Sequence, residues 1–291
     1  MSPATSSYVV ALSGGLGNQM FQYALGRCLA VRHGAKLLLD TRTLESDPLR
    51  SYALDAFSIS AEIASNSDLP ASGKWADRLR RRLPRWLQGR QQVVERSFSF
   101  DPTVLETDPP VRLVGNWQSE KYFAQIADLI RRDFTLKREL TKTRQAVADV
   151  ILAVPAISLH VRRGDYVTNA QTQAYHGSLT VEWYGAAARA IADKVPSAHY
   201  FVFSDDPLWA EQNLSLPAEV TYVPVLGDGH DWEDMRLMSL CQHHIIANSS
   251  FSWWGAWLNP RADKMVVAPR NWFSGASHDT KDLIPPSWTR L

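Results

Sequence analysis

The first forty residues constrain this chain most. Tyr8–Ser13 (YVVALS) is a short apolar run that reads as a strand. Gly14-Gly15-Leu16-Gly17 follows as a turn. Phe21, Leu25, Cys28 and Leu29 then repeat at helical spacing as far as His33. Gly34 stands where a helix C-cap belongs, with Arg32 and His33 in the last turn. Lys36–Asp40 (KLLLD) is a second strand. Strand, glycine turn, helix and strand within about 30 residues form a βαβ unit, and hence a parallel sheet.

The second half repeats this alternation. Strands are expected at Ala156–Val161, His199–Ser204, Val220–Pro224, His244–Asn248 and Met265–Ala268. Helices are expected at Val181–Lys194, Pro207–Asn213, Asp231–Gln242 and Phe251–Leu258. That is a doubly wound parallel α/β pattern. A length of 291 residues allows two domains of about 150 residues each. The Thr/Lys/Arg-rich stretch 135–144 and Pro155 flank the expected break. The domains are therefore expected at 1–150 and 151–291. Within the first, Val111–Trp117 reads as a strand and Glu120–Phe134 as a helix, while 60–110 is irregular.

Composition removes several classes of function. Apolar residues are 45% and charged residues 21%, a profile that fills a core. Lys+Arg 31 against Asp+Glu 30 leaves +1, so no global basic field marks a nucleic-acid binder. Cys28 and Cys241 make no disulfide framework and read as buried thiols. Neither a secretory leader nor a run of about 18 apolar residues is visible, so a cytoplasmic location is expected. Lys74–Arg90 carries seven basic residues and one acid, with Trp75, Leu79, Leu83 and Trp86 at helical spacing. It reads as a basic amphipathic helix. Its plain role is a solvated face; the alternative is a peripheral contact with anionic membrane or a lipid-linked acceptor.

Four constellations fall where strands end, the usual ligand edge of an open α/β sheet. Ser13–Met20 (SGGLGNQM) lacks the Lys-Ser/Thr of a phosphate-binding P-loop, and Met20 stands where a dinucleotide fingerprint has its third glycine. Its glycines still admit a ligand close to backbone, although a tight turn alone explains them. His160-Val161-Arg162-Arg163-Gly164-Asp165 ends a strand in two arginines, planar forks suited to phosphate oxygens. One arginine is expected to pair with Asp165 and the other to meet a ligand. Ser204-Asp205-Asp206-Pro207 places two carboxylates at a strand end. One is explained by capping the helix at Pro207; an acid there also suits ribose hydroxyls or guanine N–H groups. It is no DxD metal motif, and no metal is inferred. Asn248-Ser249-Ser250-Phe251 puts two serines at a helix start, where hydroxyls and free N–H groups suit a phosphate. Ordinary capping is the plain alternative. Together the four describe a nucleotide-diphosphate site.

These segments, GGLGNQMFQYALGR, HVRRGDYV, FSDDPLW and NSSFSWWGAWLNP, resemble the motifs of glycosyltransferase family 11, the α-1,2-fucosyltransferases. The resemblance implies a GT-B fold, two Rossmann-like doubly wound domains facing across a cleft. It implies inverting transfer from GDP-β-L-fucose to the 2-hydroxyl of a β-galactoside, without metal or other cofactor. It implies that Arg162 meets the diphosphate and that Asp165 holds the arginines. It further implies that His160 lies toward the nucleoside, that Asp205 and Asp206 reach guanine or ribose, and that Ser249, Ser250 and Phe251 meet phosphate. By the same resemblance Asn18 and Gln19 approach the donor from the first domain. A fucosyltransferase of another linkage (α-1,6 or protein O-linked) and a non-catalytic GDP-sugar binder are the rival readings. No general base stands out; Asp40, Asp47 and Asp55 are candidates only.

Tryptophan is over-represented, 11 residues, with eight at or after Trp183. Trp253, Trp254 and Trp257 share one segment and read as core of the second domain. Trp117, at a strand end of the first, is the one tryptophan left as a candidate for stacking on a sugar.

Overall fold

The structure, a computed structural model, describes residues 6–69, 91–164, 177–227, 229–274 and 278–291. Lys74–Arg90 and Asp165, both singled out above, lie outside the described residues. The chain divides into two units. One comprises Met1–Lys137 with Lys281–Leu283, the other Arg138–Thr280 with Ile284–Leu291.

The first unit carries a five-stranded parallel sheet. Its strands are β1 (Ser7–Ala11), β2 (Lys36–Asp40), β3 (Glu62–Ile63), β4 (Gln91–Val94) and β5 (Val111–Val114), in the order β3-β2-β1-β5-β4. Strand β1 is central, with Val10 opposite Leu39 of β2 on one side and Leu113 of β5 on the other. All five of its residues are buried, as a strand covered on both faces requires. Helix α1 (Leu16–His33) ends at Gly34, which takes the left-handed conformation at φ 59°. The helix rides close on the sheet at Gly26. A Cβ there would overlap Val10 Cγ2 and stand 2.8 Å from Leu37 Cδ1. Gly26→Ala should therefore lower unfolding free energy by about 1–3 kcal/mol in urea melts. A wild-type midpoint would mean that the helix can lift without loss.

The second unit carries a six-stranded parallel sheet. It comprises β6 (Ala156–Val161), β7 (His199–Ser204), β8 (Glu219–Tyr222), β9 (His243–Ile245), β10 (Val266–Ala268) and β11 (Thr289–Arg290), ordered β11-β10-β9-β6-β7-β8. Alternation along the strands sorts the two faces. Ile157, Leu159, Val161, Tyr200 and Val202 pack with Tyr184, Ala187, Ala188 and Ile191 of a helix at Val181–Ala192. Ala156, Phe201 and Phe203 pack on the other side with Ala148 and Ile151 of a helix at Lys142–Ala153 and with Leu237 and Met238 of one at Asp231–Leu240. In chain order the helices of the described residues after α1 are α2 (Arg42–Glu45), α3 (Ala127–Asp133), α4 (Lys142–Ala153), α5 (Val181–Ala192), α6 (Pro207–Asn213), α7 (Asp231–Leu240) and α8 (Ser250–Leu258).

Several expectations need correction. The division falls after Lys137 rather than at 150, because α4 belongs to the second core. The helix expected over Glu120–Phe134 is two 3-10 turns followed by the short α3. Adjacent Tyr122 and Phe123 are both buried there, and Phe123 leaves the helical region at φ −138°. Strand β5 stops at Val114, short of Trp117. Trp117 is 1% exposed, so it stacks on no sugar as it stands. The other tryptophan expectation holds. Trp253, Trp254 and Trp257 are buried, with Trp253 and Trp257 stacked at 6.1 Å and Trp288 packed 5.4 Å from Trp253. Cys28 and Cys241 are buried free thiols.

One ion pair inside the second unit is costly. The Arg144 side chain of α4 is fully buried, and its guanidinium meets Asp234 of α7 at 2.5 Å. Beside it, Glu233 accepts hydrogen bonds from the backbone N–H and hydroxyl of Thr141 at 2.8 and 3.0 Å. These contacts fasten α4 to α7. No helix among the described residues is long and apolar enough to cross a membrane.

Candidate active site

Chain order fixes where a ligand edge opens in each sheet. In the second sheet β6, β7 and β8 progress outward on one side, and β9 returns to the other side of β6. The connections on either side of β6 therefore leave in opposite directions, and a crevice forms at its carboxyl end. Arg162 follows β6, Asp205 follows β7, and Ser249 and Ser250 follow β9.

Both arginines pair with the carboxylates that follow β7, while the expected pairing with Asp165 lies outside the described residues. An Arg162 nitrogen lies 2.9 Å from Asp205 Oδ2, and both side chains are about a quarter exposed. Asp205 also accepts the backbone N–H of Arg163 through Oδ1 at 2.8 Å. Arg163 turns away. Its guanidinium lies 3.8 Å over the Trp209 ring and its Nε reaches Asp206 Oδ2 at 3.3 Å. Asp206 caps α6 by accepting the N–H of Trp209. So the acidic pair splits its work, one carboxylate on the cap and one on Arg162. Gly164 is tight against this pair, because a Cβ there would stand 2.7 Å from Asp205 Oδ2.

His160 points to the face opposite Val161, as strand alternation requires. It is 5% exposed, and its ring lies 5.7 Å from that of Phe251 in α8. Nδ1 is buried without a hydrogen-bond partner among the described residues. Burial drives its pKa down to about 4, helped by Arg162 and opposed by Asp205. His160 is thus neutral at pH 7. An unfolded chain protonates this ring near pH 6.5, the folded chain only near 4. Between those values the unfolded state binds more protons, so stability is lost as the pH is lowered through that window. About 2 kcal/mol should be lost between pH 7 and pH 5 through this residue. Urea midpoints at the two pH values should differ less in His160→Gln than in wild type; equal differences refute the linkage.

Ser249 is the N-cap of α8, with its Oγ accepting the N–H of Phe251 at 3.3 Å. Ser250 opens the helix. Asn248 is 3% exposed and donates to the carbonyl of Trp272 at 3.2 Å. Capping and anion binding draw on the same N–H groups, and the cap uses one of them.

The first unit contains Asn18 and Gln19, which join a different set of contacts. Gln19 does not reach for a ligand. It is fully buried, donates to the carbonyls of Gly14 and Ser51, and accepts from Ala53 N–H at 3.0 Å. Gln22, unremarked in the sequence, does similar work. It bonds Ser13 N–H, Ser13 Oγ and the Gly115 carbonyl. Asn18 Oδ1 accepts from Gln118 Nε2 at 2.9 Å. Burial would have separated these roles, and a sequence of alternating amides does not display it. Asp40 is no base. It is 2% exposed and gripped by Arg42 and Arg112, each at 2.8 Å. Burial would raise its pKa, but the two arginines outweigh burial and hold it below the usual carboxylate range. Asp47 accepts from Leu49 N–H, and Asp55 is exposed in a 3-10 turn. Among the described residues no cluster of three or more His, Cys, Asp or Glu side chains is placed to hold a metal ion.

The model of "Glycosyl transferase family 11" matches residues 2–291. The chain belongs to that family. It is a glycosyltransferase of the fucosyltransferase-like kind. An "Alpha-1,2-colitosyltransferase" of Escherichia coli is 32% identical over 98% of this chain and 99% of its own. The human "Galactoside alpha-(1,2)-fucosyltransferase 1" is 26% identical over 87% of this chain and 66% of its own. Among solved structures, the NodZ alpha-1,6-fucosyltransferase soaked with GDP-fucose matches with TM-score 0.52 at 17% identity. It covers 88% of this chain and 93% of that one. The last likeness concerns the fold, and with the two parallel α/β units it bears out the GT-B-like expectation.

Proposed function

We propose that this family 11 enzyme transfers L-fucose from GDP-β-L-fucose to the 2-hydroxyl of a terminal β-galactoside, with inversion at the anomeric carbon. What carries the reading is Arg162, held by Asp205 at the switch point of the second sheet beside the Ser249-capped start of α8. As the bond from C1 to the GDP oxygen stretches, negative charge collects on the diphosphate. A preset guanidinium fork and helix N–H groups bind that charge more tightly than the ground state. His160, neutral and buried next to Phe251, suits the nucleoside side, and Asp205 and Asp206 suit guanine or ribose. No cofactor enters this scheme. Asp165, from the same motif, is assigned a supporting role for the arginines.

A second reading keeps the chemistry and changes the sugar. The relative named as an alpha-1,2-colitosyltransferase favours it. Incubation with GDP-fucose or GDP-colitose and a panel of β-galactosides, followed by linkage analysis, tests both. An α-1,2-fucosyl product is expected. Exclusive use of GDP-colitose would move the reading to that donor, and a different linkage would overturn the acceptor assignment.

A further inference from the structure

The first unit holds a carboxylate that the scheme above leaves idle. Glu95 directly follows β4, at the carboxyl end of the first sheet. Its Oε2 accepts the backbone N–H of Asn116 at 2.7 Å, and its Oε1 accepts that of Trp117 at 2.9 Å. Its own N–H donates to the carbonyl of Val114 at 2.8 Å. Burial raises the Glu95 pKa, and the two backbone donors oppose the rise. Both oxygens are thus spent on gripping one turn, Gly115–Gln118.

That turn is not one the chain would adopt unaided. Trp117 sits in the left-handed region at φ 57°, where a bulky residue is strained. Its indole N–H is buried and has no hydrogen-bond partner among the described residues. Gly115 leaves the room, because a Cβ there would overlap the Glu95 side chain and stand 2.9 Å from Trp117 Cε2. On its other side the turn is tied to the glycine loop after β1. Gln22 Nε2 donates to Gly115 O at 3.1 Å, and Gln118 Nε2 donates to Asn18 Oδ1 at 2.9 Å. Strands β1 and β5 are neighbours at the point where this sheet reverses direction, so the two loops flank its ligand edge. Arg50 reaches the same glycine loop, its guanidinium 3.7 Å from a Cβ built on Gly15.

Asn116 stands on this rigid turn, half-buried, and its side-chain amide enters no hydrogen bond among the described residues. A carboxamide offers two donors and an acceptor, the match for a neutral sugar hydroxyl. We propose that the turn Gly115–Gln118 orients the acceptor β-galactoside, with Asn116 meeting a sugar hydroxyl and Glu95 acting as a positioning residue through the backbone. This rests on the proposed transfer to a β-galactoside.

The test compares wild type with Asn116→Ala and Glu95→Gln. Acceptor KM, donor KM and acceptor-free donor hydrolysis are measured, with melting as the fold control. Asn116→Ala should raise acceptor KM about fivefold or more while donor KM, hydrolysis and melting stay within about twofold. Glu95→Gln keeps the shape but turns an N–H toward a backbone N–H, and should raise acceptor KM further with the same donor behaviour. Acceptor KM within twofold of wild type in Asn116→Ala, or donor KM rising in parallel, overturns the proposal. If Glu95→Gln does not fold, Asn116→Ala decides alone. NMR line broadening of lactose and N-acetyllactosamine without any donor separates this from a failure of the donor assignment. Broadening by wild type and its loss in Asn116→Ala support the proposal whichever sugar nucleotide is used. Equal broadening by both proteins, or none by wild type, overturns it.

Discussion

Arg162→Ala is expected to lower turnover by about 10²–10³-fold while the protein stays folded. The size follows from where the charge develops. A guanidinium that meets the departing diphosphate contributes most in the transition state, so its loss lowers kcat and kcat/KM together. The fold should tolerate the change. Arg162 and Asp205 are each about a quarter exposed, and an ion pair open to water contributes about 1 kcal/mol or less. Asp205 would still hold the Arg163 backbone N–H. Arg162→Lys restores a charge but not the planar fork, and should recover part of the rate. Steady-state kinetics with the donor identified by the sugar-nucleotide screen, together with a thermal melt, measure both halves. Near-normal turnover in Arg162→Ala would remove this residue from the reaction.

Asp234→Ala should cost the second unit about 3–5 kcal/mol. The loss comes less from Asp234 than from what it leaves behind. Arg144 has no exposed side-chain surface, so its charge would stand in the core without a counter-ion. Burial pushes the Asp234 carboxyl up to about 6 despite the attraction of Arg144, which shows how much solvation this pair has already given up. The pair is therefore expected to be replaceable as a unit. Arg144→Met combined with Asp234→Leu should recover most of the loss, because two apolar side chains leave no unpaired charge. Chemical denaturation of the single and double variants gives the coupling energy directly. A single variant with wild-type stability would mean that water already reaches Arg144.

How far the sequence could be read depended on whether one signal dominated each segment. β2, β6, β7 and α6 are found at the expected residues, since each is an apolar run or an amphipathic turn bounded by Gly, Asp or Pro. The Asp206 cap and the Ser249 cap follow from short polar side chains placed just before helical runs. Helix α4 was hidden because its buried face is thin. Ala148 and Ile151 share that face with a buried arginine, while Val150 and Leu152 point outward and blur the period. The pairing of Arg162 with Asp205 joins residues 43 apart through strand register, with Val161 opposite Ser204, and local patterning does not encode it. Gln19 looked like a ligand group because an amide beside glycines serves backbone or ligand equally well; only burial tells which. Glu95 was invisible for the same reason, as its partners are backbone amides more than twenty residues away.

The return of Lys281–Leu283 to the first unit bears on how this chain can be re-engineered. Asp282 accepts from Lys121 Nζ and from Phe100 N–H, and its carbonyl accepts from the Ser119 hydroxyl. The two units are consequently not separable modules on a string. A chimaera made by a single splice after Lys137 would graft a foreign tripeptide onto the Ser119–Lys121 turn, and an isolated first half would lack it altogether. Exchanging the second unit of this chain requires three junctions, with the native 281–283 segment kept alongside the half it serves.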